Sequence, residues 1–291
     1  MILAFDIGGS RIRAALWDGD RLSPLGECAT PAGDRQAFLD RLAGYARGHA
    51  LRGMVLSIAG VVDPATQVGK VANIPAIDGL ALAPALTRAT GLPALVLNDA
   101  DCFALAEARL GAGRGHGTVF GVILGTGVGG GLVIDGRVLQ GAGGFAGEWG
   151  HGPVIRGDLA LPCGCGQVGC VDTIGGARGL ERLHHIRTGK SLTAPQVIAA
   201  WQAQDAAACA TLDLWRDLVA GPLAMVLNVI GAGVAPVGGG LGGAPGLVDW
   251  LDQAVRARLL RQTQAPILVA AECGADAGLL GAALAGQAEW G

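Results

Sequence analysis

Residues 118–136 read TVFGVILGTGVGGGLVIDG, and the fold turns on how this stretch is parsed. Thr118–Leu124 is a continuous apolar run of strand type. It enters a glycine-rich turn, Gly125–Gly131, and Leu132–Ile134 resumes as a strand that closes on Asp135-Gly136. Gly125-Thr126-Gly127-Val128-Gly129-Gly130 satisfies GxGxxG. A dinucleotide fold would place a helix directly after that motif and an acid about twenty residues on. A strand follows here, and the next acid, Asp135, sits in a hairpin turn, so the Rossmann reading fails. The same unit occurs at the start of the chain. Ile2–Phe5 is a strand broken by Asp6 and Gly8-Gly9, Ile12–Trp17 resumes, and Gly19-Asp20 turns into a third strand. Strand, glycine turn and strand thus occur twice, near residues 8 and 127. Glycine turns expose backbone N–H groups, so two such hairpins facing each other could hold one phosphate chain.

Outward from these hairpins the pattern alternates. Gln36–His49, Leu80–Thr90 and Ala100–Leu110 carry helical spacing, while Met54–Ile58 and Ala94–Leu97 are short buried strands. GAGRGHG at 111–117 is a glycine-rich connector. It divides a smaller N-terminal lobe, 1–113, from a larger lobe, 114–275, with a C-terminal helix at about 276–289 expected to pack back on the first. The larger lobe is mostly helical after residue 178, with helices at Gly179–His185, Ala194–Gln202, Ala206–Ile230 and Val248–Leu260, and strands at Ala235–Val237 and Ile267–Ala271. Gly189-Lys190-Ser191 resembles the end of a P-loop, but His184 stands where that motif requires glycine.

The second informative stretch is Gly147–Asp172, GEWGHGPVIRGDLALPCGCGQVGCVD. It holds Cys163, Cys165 and Cys170, three of the seven cysteines, with His151 upstream. Three thiolates and an imidazole are a tetrahedral Zn²⁺ ligand set, and Gly164, Gly166 and Gly169 permit the turns that gather them. The competing readings are a disulfide with a spare thiol, or three unrelated cysteines. Cys-x-Cys is poor geometry for bridging its own members, and MILAFDIGG is a strand rather than a secretory signal. A structural rather than catalytic zinc is expected, because four ligands are already present.

Composition removes several function classes. The chain has 291 residues with a formal net charge of −3 and no basic run, which does not suit a nucleic-acid or membrane surface. Leu218–Val248 contains no charged residue, yet its second half is too rich in Gly and Pro for a helix in lipid. It reads as a buried helix to Ile230, a short strand and a glycine loop. A cytoplasmic location is expected.

Two acids stand out. Asp99 follows a buried strand, the place where α/β sheets bind ligands, and suits either a general base or a helix N-cap. Asp6 interrupts an apolar strand beside glycines and suits either a turn or a Mg²⁺-associated carboxylate near phosphate. His49, His116, His184 and His185 have no acid or cysteine partner nearby in sequence and read as surface or loop residues.

DIGGSR (6–11), NDADCFALAEA (98–108), ILGTGVGGG (123–131), GEWGH (147–151), CGCGQVGC (163–170) and VGGG (237–240) together resemble the ROK family of bacterial sugar kinases, over nearly the whole chain. ANIPA (72–76) and NDADCFALAEA look most like the N-acetylglucosamine kinases, GEWGH like the fructokinase branch, and DAGLLGAAL (276–284) like N-acetylmannosamine kinases. The resemblance implies an α/β actin/hexokinase (ribonuclease H-like) fold of two lobes around a central cleft. It implies ATP-dependent phosphorylation of a hexose 6-hydroxyl, most like that of N-acetylglucosamine, with other ROK hexokinases or a non-catalytic sugar sensor as the alternatives. Asp99 would be the base. Asn98, Glu148 and His151 would hold the sugar, with Gly60 nearby and Asp172 where the family usually has Glu. Asp6 would act through Mg²⁺. Gly8, Gly9, Ser10, Gly125, Thr126 and Gly127 would bracket the ATP phosphates, and Gly238, Gly239 and Gly240 would pack against the nucleoside. His151, Cys163, Cys165 and Cys170 would ligate Zn²⁺, and a homodimer is expected. Lobe closure would exclude water, which competes as acceptor.

Departures from the family pattern are Ser10-Arg11 for Thr-Lys, Ala59-Gly60 for Pro-Gly, and Gly231-Ala232-Gly233 for Asp-Pro-Asp. Asp172, one methylene short of Glu, leaves extra room near the sugar's anomeric end. No helix-turn-helix pattern precedes the first strand, which argues against the repressor branch.

Overall fold

The structure is a computed structural model describing residues Met1–Gly291. The chain divides into two compact units. The first is Met1–Leu110 with Arg137–Ala146 and Cys273–Gly291, and the second is Gly111–Gly136 with Gly147–Glu272. The sequence places 137–146 in the large lobe; in the structure it belongs to the first unit. Within that unit Gly144 lies so close to the backbone of Val62 that a Cβ would not fit.

In the first unit the order is β1 (Ile2–Ile7), β2 (Arg11–Trp17), β3 (Leu22–Ala29), α1 (Arg35–Ala46), β4 (Gly53–Ile58), α2 (Leu82–Thr90), β5 (Ala94–Asn98) and α3 (Asp99–Leu110). The sheet runs β3-β2-β1-β4-β5. β1 pairs antiparallel with β2 and parallel with β4, and β4 pairs parallel with β5. Parallel strands are covered on both faces, which is why Ile2–Phe5 of β1 and Met54–Leu56 of β4 read as continuous apolar runs. One face packs Leu3, Phe5, Met54 and Leu56 against Phe38, Leu42 and Leu86. The other packs Ile2, Ala4 and Val55 against the C-terminal helix Ala277–Trp290. That helix approaches closely because two of its turns are glycines. A Cβ on Gly281 would meet the backbone of Cys102, and one on Gly286 would lie 2.7 Å from Ile2 and Val55.

The second unit repeats the arrangement with its own elements: β6 (Thr118–Leu124), β7 (Val128–Ile134), α4 (Ala177–Thr188), α5 (Ala194–Gln202), α6 (Ala206–Ile230), β8 (Ala235–Gly238), α7 (Leu247–Arg256) and β9 (Leu268–Ala270). Within it the strands run β7-β6-β8-β9, antiparallel across β7-β6 and parallel across β6-β8-β9. The charge-free stretch after Leu218 resolves into the buried face of α6, a C-cap at Gly231 (φ 64°) and β8. Trp215, Val219 and Leu223 of α6 join Val122, Leu124 and Val128 in one core. No helix is long and apolar enough to cross a membrane.

Two expectations are corrected. Gly129–Gly131 belong to strand β7 and not to a loop, so the turn shrinks to Gly125–Gly127. The contact lies about twenty residues away: a Cβ on Gly130 would lie 2.8 Å from Trp149 and 2.9 Å from the Gly147 carbonyl, so no side chain fits at that position. His184 is buried, 2% exposed, and not a surface residue. Its Nδ1 lies 3.1 Å from Thr211 Oγ1, whose hydroxyl donates to the Ala207 carbonyl at 2.9 Å. Burial lowers its pKa, with Asp205 raising it and Lys190 lowering it further.

Candidate active site

The polar features lie at the C-terminal ends of the parallel strands of each unit. In the first unit β1 ends at Asp6-Ile7 and runs into the turn Gly8–Ser10. The Gly8 N–H donates to the Arg11 carbonyl at 2.9 Å. Thr30 braces the turn from the side: its hydroxyl donates to the Gly8 carbonyl at 2.8 Å and its N–H to the Ser10 carbonyl at 3.1 Å. The Gly9 and Ser10 amides have no acceptor within the chain. A Cβ on Gly9 would press on Asn73, at 3.1 Å from its carbonyl oxygen, so this turn requires glycine.

Asp6 is half-buried at the strand end. Burial raises its pKa; Arg13, 3.7 Å away, opposes this, and Asp276 adds to it. Arg13 is itself held by the Ala275 carbonyl at 2.8 Å and by Asp276. The start of the C-terminal helix closes on Asp6, since a Cβ on Gly278 would lie 2.9 Å from Asp6 Oδ1. Sequence reasoning passed over Arg13 and Thr30, because neither belongs to a glycine or acid motif.

Asn98 and Asp99 stand at the end of β5, two strands from Asp6 and at the same sheet edge. Both side chains bond at the start of α3. Asn98 supplies the helix cap, its Oδ1 accepting from Ala100 N–H at 2.8 Å, while its Nδ2 donates to the Gly60 carbonyl at 3.0 Å. Asp99 is the first residue of α3, and its Oδ1 accepts from the Ala100 N–H at 2.9 Å. Gly60 has no room for a side chain, with Lys70 O 2.7 Å from its Cβ position.

In the second unit β6 ends in the turn Gly125–Gly127. Gly125 N–H donates to the Gly127 carbonyl at 3.0 Å. The first turn of α4 sits behind: Ala177 N–H donates to the Gly125 carbonyl at 2.8 Å and Arg178 N–H to the Thr126 carbonyl at 3.4 Å. With the carbonyls held behind, the Thr126 and Gly127 amides have no acceptor within the chain. Gly239 (φ 83°) stacks on Leu124-Gly125, its Cβ position 2.6 Å from Gly125 N, and so brings Gly238–Gly240 beside the turn. Gly239 and Gly240 are exposed.

GEWGH lies across β7. Trp149 Nε1 donates to the Gly129 carbonyl at 2.8 Å, and a Cβ on Gly150 would lie 2.5 Å from the Val128 carbonyl oxygen. Glu148 Oε2 is 3.7 Å from His151 Nε2. Burial raises the Glu148 pKa, with His151 opposing and Asp172 reinforcing.

The other His151 nitrogen, Nδ1, lies 3.6 Å from Cys163 Sγ, and Cys165 and Cys170 Sγ are 3.6 Å apart. All four ligand atoms fall within 4.8 Å of one another. A zinc tetrahedron with Zn–S near 2.3 Å has S···S edges of about 3.8 Å, so the donor set fits such an ion. Every cysteine is a free thiol. Burial pushes the Cys163 thiol up to about 12, while the Gln167 backbone N–H pulls Cys165 down to about 7.

Asp172 stands two residues beyond Cys170. Its Oδ1 accepts from Val128 N–H at 2.8 Å and its own N–H donates to the Gly150 carbonyl at 2.9 Å. Its Oδ2 is 3.8 Å from Cys163 Sγ. One carboxylate oxygen of the residue expected to reach a sugar is therefore engaged by backbone.

Comparison with known proteins agrees with this geometry. The ROK family model matches residues 2–288. The chain belongs to the ROK family. It is 34% identical to an N-acetyl-D-glucosamine kinase of Pasteurella multocida, across 97% of this chain and 98% of that one. It is likewise 34% identical to an N-acetylgalactosamine kinase of a Shewanella species, across 99% and 97%. Among solved structures, a ROK hexokinase from Thermus thermophilus superimposes with a TM-score of 0.88 at 33% identity, covering 100% of this chain and 99% of that one. A ROK glucokinase from Streptomyces griseus, solved with glucose and AMPPNP, gives 0.78 at 28% identity, with 98% of each chain covered. The fold of this ROK protein is that of the actin/hexokinase class, with the ribonuclease H-like strand pattern in each unit.

Proposed function

We propose that this protein is an ATP-dependent sugar kinase that phosphorylates an N-acetylhexosamine, foremost N-acetylglucosamine, on its 6-hydroxyl. The observation that carries the reading is the shared sheet edge of the first unit. Two carboxylates, Asp6 and Asp99, end parallel strands on either side of β4, beside a turn with two unengaged amides. Phosphoryl transfer needs those parts: a base that orients the attacking hydroxyl, donors for phosphate oxygens, and a carboxylate for the accompanying cation.

Asp99 accepts the proton of the sugar hydroxyl. Asn98 fixes the start of α3 and so sets where Asp99 points. Glu148, His151, Asn98 and Gly60 contribute to sugar binding. The amides of Gly9, Ser10, Thr126 and Gly127 donate to phosphate oxygens, and Gly238–Gly240 supports the nucleoside. Asp6 would hold Mg²⁺, which would supply neutralisation of phosphate charge. His151, Cys163, Cys165 and Cys170 hold Zn²⁺ as a structural ion. Glu148 orients His151 from its free nitrogen, as carboxylates do behind metal-bound imidazoles. A homodimer in the cytoplasm completes the proposal.

The substrate class rests on the two curated relatives, whose names both specify an N-acetylated hexosamine. Unsubstituted hexoses are the alternative, as the Thermus hexokinase and Streptomyces glucokinase carry the same fold. ADP release measured over N-acetylglucosamine, N-acetylgalactosamine, N-acetylmannosamine, glucose and fructose tests both points. The highest kcat/KM is expected on N-acetylglucosamine; a preference for glucose or fructose would overturn the substrate assignment, and no turnover on any would overturn the activity.

A further inference from the structure

Residues 170–178 form one short path that touches the turn Gly125–Gly127 repeatedly. Cys170 belongs to the metal-ligand cluster, and two residues on, Asp172 accepts the Val128 N–H. A Cβ on Gly127 would collide with Asp172 Oδ1 and stand 3.3 Å from its Cγ, so the carboxylate fills the space beneath the turn. Gly176 presses on Gly127 from the same side, its Cβ position 2.6 Å from the Gly127 Cα. Ala177 then donates to the Gly125 carbonyl, and Arg178 to that of Thr126. Asp172 is also tied back to the cluster by its N–H on Gly150, next to His151, and by the approach of Oδ2 to Cys163.

We infer that Asp172 is a positioning residue that locks the glycine turn to the cysteine cluster, so that a metal ion in the cluster and a nucleotide phosphate on the turn bind with positive coupling. The inference rests on reading Gly125–Gly127 as a nucleotide-phosphate turn. The amides of Thr126 and Gly127 are useful to an anion only while the turn keeps its shape. Asp172 holds the next amide, Val128, out of competition and blocks the turn from collapsing inward. The metal fixes Cys170 and thereby the register of Asp172. If filling one site stiffens what the other needs, linkage makes the effect reciprocal.

The test uses the zinc-loaded full chain. Binding of the non-hydrolysable analogue MgAMPPNP and of N-acetylglucosamine is measured by calorimetry for wild type, Asp172→Ala and Asp172→Asn. Zinc release to a chromophoric chelator is followed with and without the analogue. Losing the hydrogen bond and its packing in Asp172→Ala is expected to weaken MgAMPPNP about tenfold. Asp172→Asn, which keeps the acceptor oxygen, recovers most of that loss. The analogue slows zinc release in wild type and has no effect on it in Asp172→Ala.

Unchanged nucleotide affinity in Asp172→Ala, or loss of sugar affinity with nucleotide affinity intact, overturns the inference. If Asp172→Ala does not fold, wild-type zinc release decides alone, and indifference to the analogue overturns it. A wild type that binds no nucleotide removes the kinase reading itself, and this inference with it.

Discussion

The two sheets share one strand pattern but differ at their ligand edge. In the first, the strand before the glycine turn ends in Asp6-Ile7; in the second, the equivalent strand ends in Ile123-Leu124. The first sheet carries Asp99 after its last parallel strand, whereas β9 of the second is followed by Ala271 and Glu272. The turns are braced differently too. One side chain and one amide of Thr30 hold Gly8–Ser10, while Gly125–Gly127 is held by the start of α4, by Gly176 and by Asp172. One sheet ends in the two carboxylates, and the other carries the anchoring, including the metal-ligand cluster. The two can differ this way because turn geometry depends on glycines and backbone, which leaves the strand-end residues free to differ.

This division is most exposed to change at Asp99. Asp99→Asn leaves the Asn98 cap in place and removes the base, so kcat is expected to fall at least about a hundredfold with little change in sugar KM. Steady-state kinetics checks this, and near-normal turnover would mean the chemistry does not sit on the first sheet.

Next is the cluster. Cys165→Ser removes one of four ligands and should release zinc, measured by elemental analysis. A loss of about 2 kcal/mol would lower Tm by about 4–8 °C. Full zinc content and unchanged Tm would mean the second sheet is not anchored by metal.

Thr30→Val probes the lighter brace. It deletes the hydroxyl bond to Gly8 O, worth about 1 kcal/mol, and should raise KM for ATP about fivefold while leaving zinc content unchanged. An unaltered KM would show that Gly8–Ser10 needs no side-chain brace.

The smallest effect is expected at His184. Its folded pKa lies below the unfolded value of 6.5, so the unfolded chain binds the extra proton first. Stability is complete above pH 6.5 and declines as pH falls from there toward the folded pKa. Tm followed from pH 7.5 to 5.5 should drop less in His184→Leu than in wild type; equal slopes would mean another group carries the acid sensitivity.

Much of this was legible in the chain. Apolar runs and glycine breaks marked both hairpins, α5 and α6 began and ended where pattern placed them, and the ligand cluster was visible from Cys163, Cys165, Cys170 and His151. What escaped depends on contacts distant in sequence. Gly129–Gly131 look like a loop until Trp149 is laid over them. His184 looks exposed because its partner, Thr211, lies on another helix. The bond of Asp172 to Val128 was not visible either, because a backbone amide carries no sequence signal.

The central claim is tested most directly by product analysis. The protein is incubated with MgATP and N-acetylglucosamine, and the product is examined by phosphorus–proton correlation NMR. The account predicts one phosphosugar with phosphate on oxygen 6, formed by wild type and not by Asp99→Asn. Sugar that binds but stays unphosphorylated, or phosphate on any other oxygen, would contradict it.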